Sequence, residues 1–135
     1  MFRRDHRDED LPQRVDHLMT AVVLTDPEAR LAALAAHVAP DVVYVSPSAV
    51  FDGPGGLSEA FERLRRPDRQ PAALRRTSPL DQHHGYFRFT WERVERGAAV
   101  MSGWAFGSLD ESGAIDRIVA FEGLEPRAPE GSITT

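Results

Sequence analysis

An α+β fold is predicted by three observations. Apolar residues recur at helical spacing as far as Leu64, the pattern changes to extended segments from Leu74 onward, and turn clusters divide those segments into a meander. Helices gathered at the N-terminal end and strands at the other describe an arrangement in which helices cover one face of a curved antiparallel sheet. A chain of 135 residues matches one domain, long enough to bury a core without disulfides or a structural metal.

Residues 1–9 are polar and are expected to be disordered, and residues 125–135, with Pro126, Pro129 and Gly131, read as a loose tail, so the domain spans 10–124. Asp10 followed three residues later by Gln13 resembles a capping box, and Val15, Leu18, Met19, Val22 and Val23 then recur at helical spacing. A second helix starts at Asp26 as N-cap with Pro27 in its first position, carries Leu31, Leu34, Ala35 and Val38 as its apolar stripe, and is ended by Pro40. Residues 42–45 are β-branched and aromatic and predict a short strand closed by Ser46-Pro47, with a loop after it. Asp52-Gly53-Pro54-Gly55-Gly56 is a turn cluster, after which Leu57, Phe61 and Leu64 sit at i, i+4 and i+7 of a third helix. Extended segments follow at roughly 73–80, 82–95, 98–109 and 114–122, with turn signals at Arg96-Gly97 and at Asp110-Glu111-Ser112-Gly113. No internal repeat is present.

Composition excludes several function classes. The absence of cysteine removes disulfides, thiolate metal sites and cysteine nucleophiles. The mixed-charge N-terminus has no apolar segment behind it, so it reads as neither secretory signal nor anchor, and a cytoplasmic protein is expected. The longest apolar stretches, near 21–24 and 31–39, fall short of the roughly 20 residues needed to cross a bilayer. A net charge of −5 is the wrong sign for tracking phosphate backbones, so no nucleic acid partner is expected. All sixteen basic residues are arginine, the composition a GC-rich coding genome produces.

The order helix, helix, short strand ending in Ser-Pro, Gly-rich turn, helix and long meander resembles the SnoaL-like branch of the nuclear transport factor 2-like superfamily. The resemblance spans residues 11–124 and rests on His37-Val38-Ala39-Pro40-Asp41-Val42-Val43-Tyr44-Val45-Ser46-Pro47, Phe51-Asp52-Gly53, Arg88-Phe89-Thr90-Trp91 and Asp110-Glu111-Ser112-Gly113-Ala114-Ile115. It implies three helices on a strongly curved antiparallel, or mixed, sheet forming a cone-shaped barrel with a pocket at one end, and a homodimer through the outer sheet face. Proteins of this kind include ketosteroid isomerases, polyketide cyclases, dehydratases and epoxide hydrolases as well as binders without catalysis, so the site must choose among them.

Ketosteroid isomerase chemistry needs a carboxylate base, a tyrosine and a protonated aspartic acid at an enolate oxygen. Laid on this chain, the resemblance puts the base at Ser46, the tyrosine at Val22 and the acid near Ala105, and all three roles are vacant. No acid lies among Met101-Ser102-Gly103-Trp104-Ala105-Phe106, although Asp41 and Asp52 are near Ser46 in sequence. If Ser46 points inward, alternation brings Val42 and Tyr44 with it, and the placement implied by the resemblance turns Phe87, Phe89 and Trp91 inward on another strand, with His83 and Gly85 earlier on that face, and Ile118, Ala120 and Glu122 on the last. This describes a mostly apolar small-molecule pocket lined by Tyr44, Ser46, His83, Phe87, Phe89, Trp91, Ala105 and Ile118, with the aromatic residues also serving as core.

Three side chains in that set could carry chemistry. Tyr44 can donate a hydrogen bond to a ligand carbonyl, His83 can act as acid, base or ligand contact, and Glu122 is the surviving carboxylate for general-base work, with Asp116 taking its place if the register slips. His83 and His84 are adjacent strand residues that point to opposite faces, so no shared metal is expected, and His37 reads as a helix-face residue with His6 and His17 exposed. Arg63, Arg65, Arg66, Arg69, Arg75 and Arg76, offset by Asp68, form a basic run that suits a helix end or an anionic metabolite or phosphopantetheine-bearing partner. Gly53 to Gly56 lack phosphate-loop spacing, and no cofactor or metal is implied. Two functions remain open: an enzyme such as an isomerase, cyclase, dehydratase or hydrolase acting on a small apolar or aromatic molecule, or a ligand-binding or dimerisation module without catalysis.

Overall fold

The computed structural model describes residues 10–64 and 73–125. The expectations for residues 1–9, for the tail from 126 and for Arg65, Arg66, Asp68 and Arg69 fall outside the described residues. Among the described residues there are three α-helices, α1 Leu11–Thr20, α2 Pro27–Ala35 and α3 Gly53–Arg63, with one 3₁₀ turn at Ala21–Val23. The strands are β1 Val38–Val45, β2 Val50–Asp52, β3 Ala73–Arg76, β4 Asp81–His83, β5 Tyr86–Glu95, β6 Ala98–Leu109 and β7 Ile115–Glu122. They form one sheet in the order β2-β1-β7-β6-β5-β3, with β4 also pairing with β5. β1 runs parallel to β7 and the other pairings are antiparallel, so the sheet is mixed and its two ends do not meet. Where the resemblance leads one to expect a cone-shaped barrel, the described strands form an open mixed sheet.

α1 buries Leu11, Val15, Leu18 and Met19, as its spacing predicts, and also Arg14. Arg14 is 2% exposed and its Nη1 donates to the Gly113 carbonyl at 2.7 Å, which ties the helix to the β6–β7 turn. The side chain of Asp10 makes no capping bond, so the capping box expected there does not form. In α2 the Asp26 carboxylate does cap, accepting from the Ala29 N–H at 3.2 Å. The α2 stripe differs from the expected one: Leu34 is in the core, but Leu31 is exposed and Arg30 is buried. Arg30 donates from Nε to Ser58 Oγ and from Nη1 to the Leu24 carbonyl, both at 2.9 Å, and pairs with Glu62, so the helix turns a guanidinium rather than a leucine toward α3.

Pro40 lies within β1 instead of ending α2. It falls where the β1–β7 register shifts between Val38 and Val43, a bulge at which a residue without an N–H leaves no ladder bond unmade. β2, in the segment read as a loop, pairs Phe51 with Tyr44. The segment expected as one strand over 82–95 is a hairpin. His84 and Gly85 have φ of 52° and 81°, and two consecutive positive φ values make the tight turn whose twist matches antiparallel strands.

The inner face of β5 and β6 sets large rings against small residues. On the inner face Phe87 is paired with Gly107, Phe89 with Ala105 and Trp91 with Gly103. A Cβ on Gly103 would fall on the Phe121 carbonyl and the Trp91 indole, and one on Gly107 would fall on the Phe87 ring and the Arg117 carbonyl. Three large rings thus lie across three positions that have room for them. Phe87 and Phe89 stack with an interplanar angle of 8° and join Val15, Leu18, Leu34, Val42, Leu57, Phe61 and Ile115 in one core.

Candidate functional site

Between the helices and the inner sheet face lies a cavity of about 220 Å³. One end is formed by Val15 and Leu18 of α1, Leu57 of α3, Phe87 and Ile115, all buried. The other end follows from strand direction. β1 and β7 are parallel, so Ser46 after β1 and Glu122 at the end of β7 lie at the same edge of the sheet, together with the end of β5 at Arg93 and the start of β6 at Met101. Leu74 pairs with Arg93 at this edge, and Arg63 and Leu64 bring the C-terminus of α3 to the cavity. Pro47, Ser48, Arg63 and Glu122 are exposed, so this is the mouth. The cavity is apolar and closed at depth, and its charged lining residues, Arg63, Arg93 and Glu122, stand at the entrance.

Tyr44 projects from β1 and touches the ring of Phe51 at a centroid separation of 6.1 Å. Burial pushes its phenol pKa above the ordinary 10.0, and the Glu122 charge raises it further, so the hydroxyl keeps its proton. Ser46, at the position where the resemblance expects a base, is committed to its own loop: its Oγ accepts from the Ala49 N–H at 3.1 Å and from the Ser48 N–H at 3.3 Å. Ala105 lines the cavity beneath Phe89, and a larger side chain there would compete with that ring for the same space. Phe89, Trp91 and Ile118 also line it. The Trp91 Nε1 is buried and has no hydrogen-bond partner among the described residues.

His83 is corrected. It lies on β4, exposed, and is not among the cavity-lining residues, because the turn at His84-Gly85 separates it from the face that carries Phe87. Tyr44, His83 and Glu122 therefore do not converge. The expectation that His83 and His84 point apart also fails, since His84 is in the turn rather than in a strand and its Nδ1 lies 3.4 Å from that of His83. Among the described residues no group of three or more His, Asp or Glu side chains is placed to hold a metal ion. Asp41 and Asp52 are exposed and do not line the cavity, and Asp116 accepts from Ser108 Oγ at 2.5 Å.

The described arginines of the basic run each have an acidic partner: Arg63 with Glu59, Arg75 with Glu92 and Arg76 with Asp16. The Arg76 guanidinium holds its proton more firmly because of that hydrogen bond to Asp16. Sequence reasoning missed Arg93 and Met101. Both were within reach, because Arg93 continues the alternation of Phe87, Phe89 and Trp91 by one more step and Met101 is its partner across the hairpin.

No family profile matches the sequence, and no curated protein matches it. Solved structures do. A SnoaL-like family protein from Agrobacterium tumefaciens, named as a candidate isomerase, is 24% identical with a TM-score of 0.73, covering 83% of this chain and 96% of its own. A cystatin-like fold protein of unknown function from Methylobium petroleophilum is 17% identical with a TM-score of 0.67, covering 92% of this chain and 81% of its own. A ketosteroid isomerase-like fold protein from Catenulispora acidiphila, in complex with trimethylamine, is 16% identical with a TM-score of 0.60, covering 82% and 85%. The chain has the α+β, cystatin-like fold of the SnoaL-like and nuclear transport factor 2-like proteins.

Proposed function

We propose that this chain takes a small apolar or aromatic molecule into its cavity and moves a proton on it, as an isomerase does, with Glu122 as base and Tyr44 as neutral hydrogen-bond donor. The observation that carries this reading is that Tyr44 and Glu122 both line the cavity, where burial first and the Glu122 charge second raise the phenol pKa. A carbonyl oxygen held by the Tyr44 O–H would accept developing negative charge while Glu122 takes a proton from the neighbouring carbon and returns it elsewhere, so no net atoms are gained or lost. A raised phenol pKa suits a donor that must keep its proton. The candidate isomerase and the trimethylamine complex among the similar structures support the class, a small organic ligand. Among the described residues no helix is long and apolar enough to cross a membrane, and a cytoplasmic location is part of the proposal.

The test is deuterium exchange at the α-carbon of small cyclic and aromatic ketones, followed by NMR, beside a thermal-shift measurement of binding. Tyr44→Phe and Glu122→Gln are expected to abolish enzyme-dependent exchange while retaining a ligand-induced shift. Saturable binding with no exchange in the unaltered protein would leave a ligand-binding module without catalysis.

The outer sheet face favours a second, compatible reading as a dimerisation module. Trp104 and Phe106 stack at 6.0 Å, Phe121 meets Phe106 edge-on at 5.7 Å, and Phe106 and Phe121 are exposed. We place a homodimer on this face. Sedimentation should show a dimer that Phe106→Ser/Phe121→Ser converts to monomer, and a monomeric unaltered chain overturns it.

A further inference from the structure

Among the described residues, two donor groups lining the cavity, Trp91 Nε1 and Arg93 Nε, make no hydrogen bond. Trp91 and Arg93 are neighbours on the inner face of β5, and both line the cavity. The Trp91 indole N–H is buried without a partner among the described residues. The Arg93 side chain is 17% exposed, and its one polar contact among the described residues is an ion pair with Glu95 at 3.3 Å, in which Nε makes no hydrogen bond. Its cross-strand neighbours, Leu74 and Met101, are apolar. A guanidinium has five N–H donors and cannot accept, so with this one ion pair among the described residues most of its donors remain open to a ligand. Arg63 is held by Glu59 at 2.8 Å. Among the described residues Glu122 is the one carboxylate lining the cavity, and it lies two strands from Arg93, opposite Gly103.

What satisfies such a site is an anion with a planar pair of acceptors, and a carboxylate matches the guanidinium fork better than any neutral oxygen. Glu122 repels it from the β7 side, which orients it toward β5. The rest of the ligand is set by the interior. A cavity of about 150 Å³ lined by aliphatic and aromatic side chains accommodates benzene, and the cavity here, at about 220 Å³, has room for one or two rings. The inner wall offers the parallel faces of Phe87 and Phe89. We infer that the cavity binds a one- or two-ring carboxylic acid, with its rings against the β5 aromatic wall and its carboxylate on the Arg93 guanidinium. The inference rests on the reading of the cavity as a ligand site and names the ligand class for it.

Calorimetric titration with three probes that share one naphthalene body separates the possibilities: naphthoic acid, naphthamide and naphthylmethylamine, near neutral pH and low salt. The acid is expected to bind about tenfold or more tighter than the amide, with an affinity that falls on adding salt. Arg93→Gln should remove that advantage and leave amide affinity within about twofold, and Glu95→Gln should strengthen acid binding by freeing the guanidinium. Should Arg93→Gln fail to fold, the double variant Arg93→Gln/Glu95→Gln removes both members of the ion pair and serves the same comparison. Equal binding of acid and amide, or acid binding that survives loss of Arg93, overturns the inference while the cavity remains a ligand site. Preference for the amine overturns it in favour of Glu122 as the dominant charge. Binding of none of the three sinks the cavity reading and the inference together.

Discussion

On the inner face of β5 and β6 each aromatic ring is opposed by a residue with little or no side chain, whereas on the outer face Trp104 and Phe106 stack and meet Phe121. The two faces come from the same alternation along the same strands. Inside, Gly103, Ala105 and Gly107 let the rings of Trp91, Phe89 and Phe87 lie across the neighbouring strand and form part of the cavity wall. Outside, rings beside rings leave apolar area facing solvent. Small residues are required where rings cross the strand, and large ones are tolerated where nothing packs above them, so glycines and exposed aromatics alternate along one strand.

The largest break in that contrast should come from the glycines. Gly103→Val places side-chain atoms on the Phe121 carbonyl and the Trp91 indole, and is expected to abolish a cooperative unfolding transition. Ser102→Ala, one residue away on the other face, should stay within about 0.5 kcal/mol in urea denaturation. Next in size is ring truncation. Phe89→Ala should cost about 3–5 kcal/mol, because Phe89 is buried in the core. Phe106→Ala should cost less than about 1 kcal/mol in the monomer while weakening self-association.

A smaller effect lies in the turn that sets which residues of β6 and β7 face inward. Asp110 Oδ1 accepts from Ser112 Oγ, Ser112 N and Ala114 N, and Asp110→Ala should destabilise the chain by about 1–2 kcal/mol. The hydrogen bond from Ser112, reinforced by backbone N–H groups, holds the Asp110 carboxyl below the usual carboxylate range. Its stabilisation is therefore present above the ordinary carboxylate pKa and is lost as pH falls through the lower folded value. Acid titration of Asp110→Asn should lack that part of the decline.

The smallest effect reports on the cavity itself. Absorbance titration should put ionisation of Tyr44 above the ordinary tyrosine value. The unfolded chain loses this proton near pH 10 while the folded chain keeps it, so stability falls as pH rises from there toward the folded value. Glu122→Gln should lower the midpoint partway only, because burial is the larger cause. An unchanged midpoint in that variant would separate Glu122 from Tyr44 and remove the basis of the proposed proton transfer.

Most of the fold was legible in local pattern. The caps and spacing around Asp26, Leu57 and Phe61, and the shared face of Phe87, Phe89 and Trp91, are properties of 3.6-residue and two-residue periods, while the assignment of that face to the interior came with the resemblance. Alternation fails where the backbone leaves the pattern, as at His84-Gly85. His84 is not glycine, and although histidine enters the left-handed region more often than most residues, that weak preference did not announce the positive φ that takes His83 off the cavity face. Helical spacing likewise could not tell that Arg30 rather than Leu31 turns inward, because the Ser58 hydroxyl and the Glu62 carboxylate that receive it come from a later helix.

The sequence by itself determined the succession of helices and strands, the alternating faces of the long strands and the vacancy of the acid and tyrosine positions at Ala105 and Val22, because each of these is carried by neighbouring residues. Tertiary structure alone decided that the sheet stays open, that Tyr44 and Glu122 become electrostatic neighbours, and that Arg76 is neutralised by Asp16 sixty positions away while Arg93 is left with one poorly aligned partner. Those outcomes depend on strand register and on loop closure between distant segments, and a local period carries no information about either.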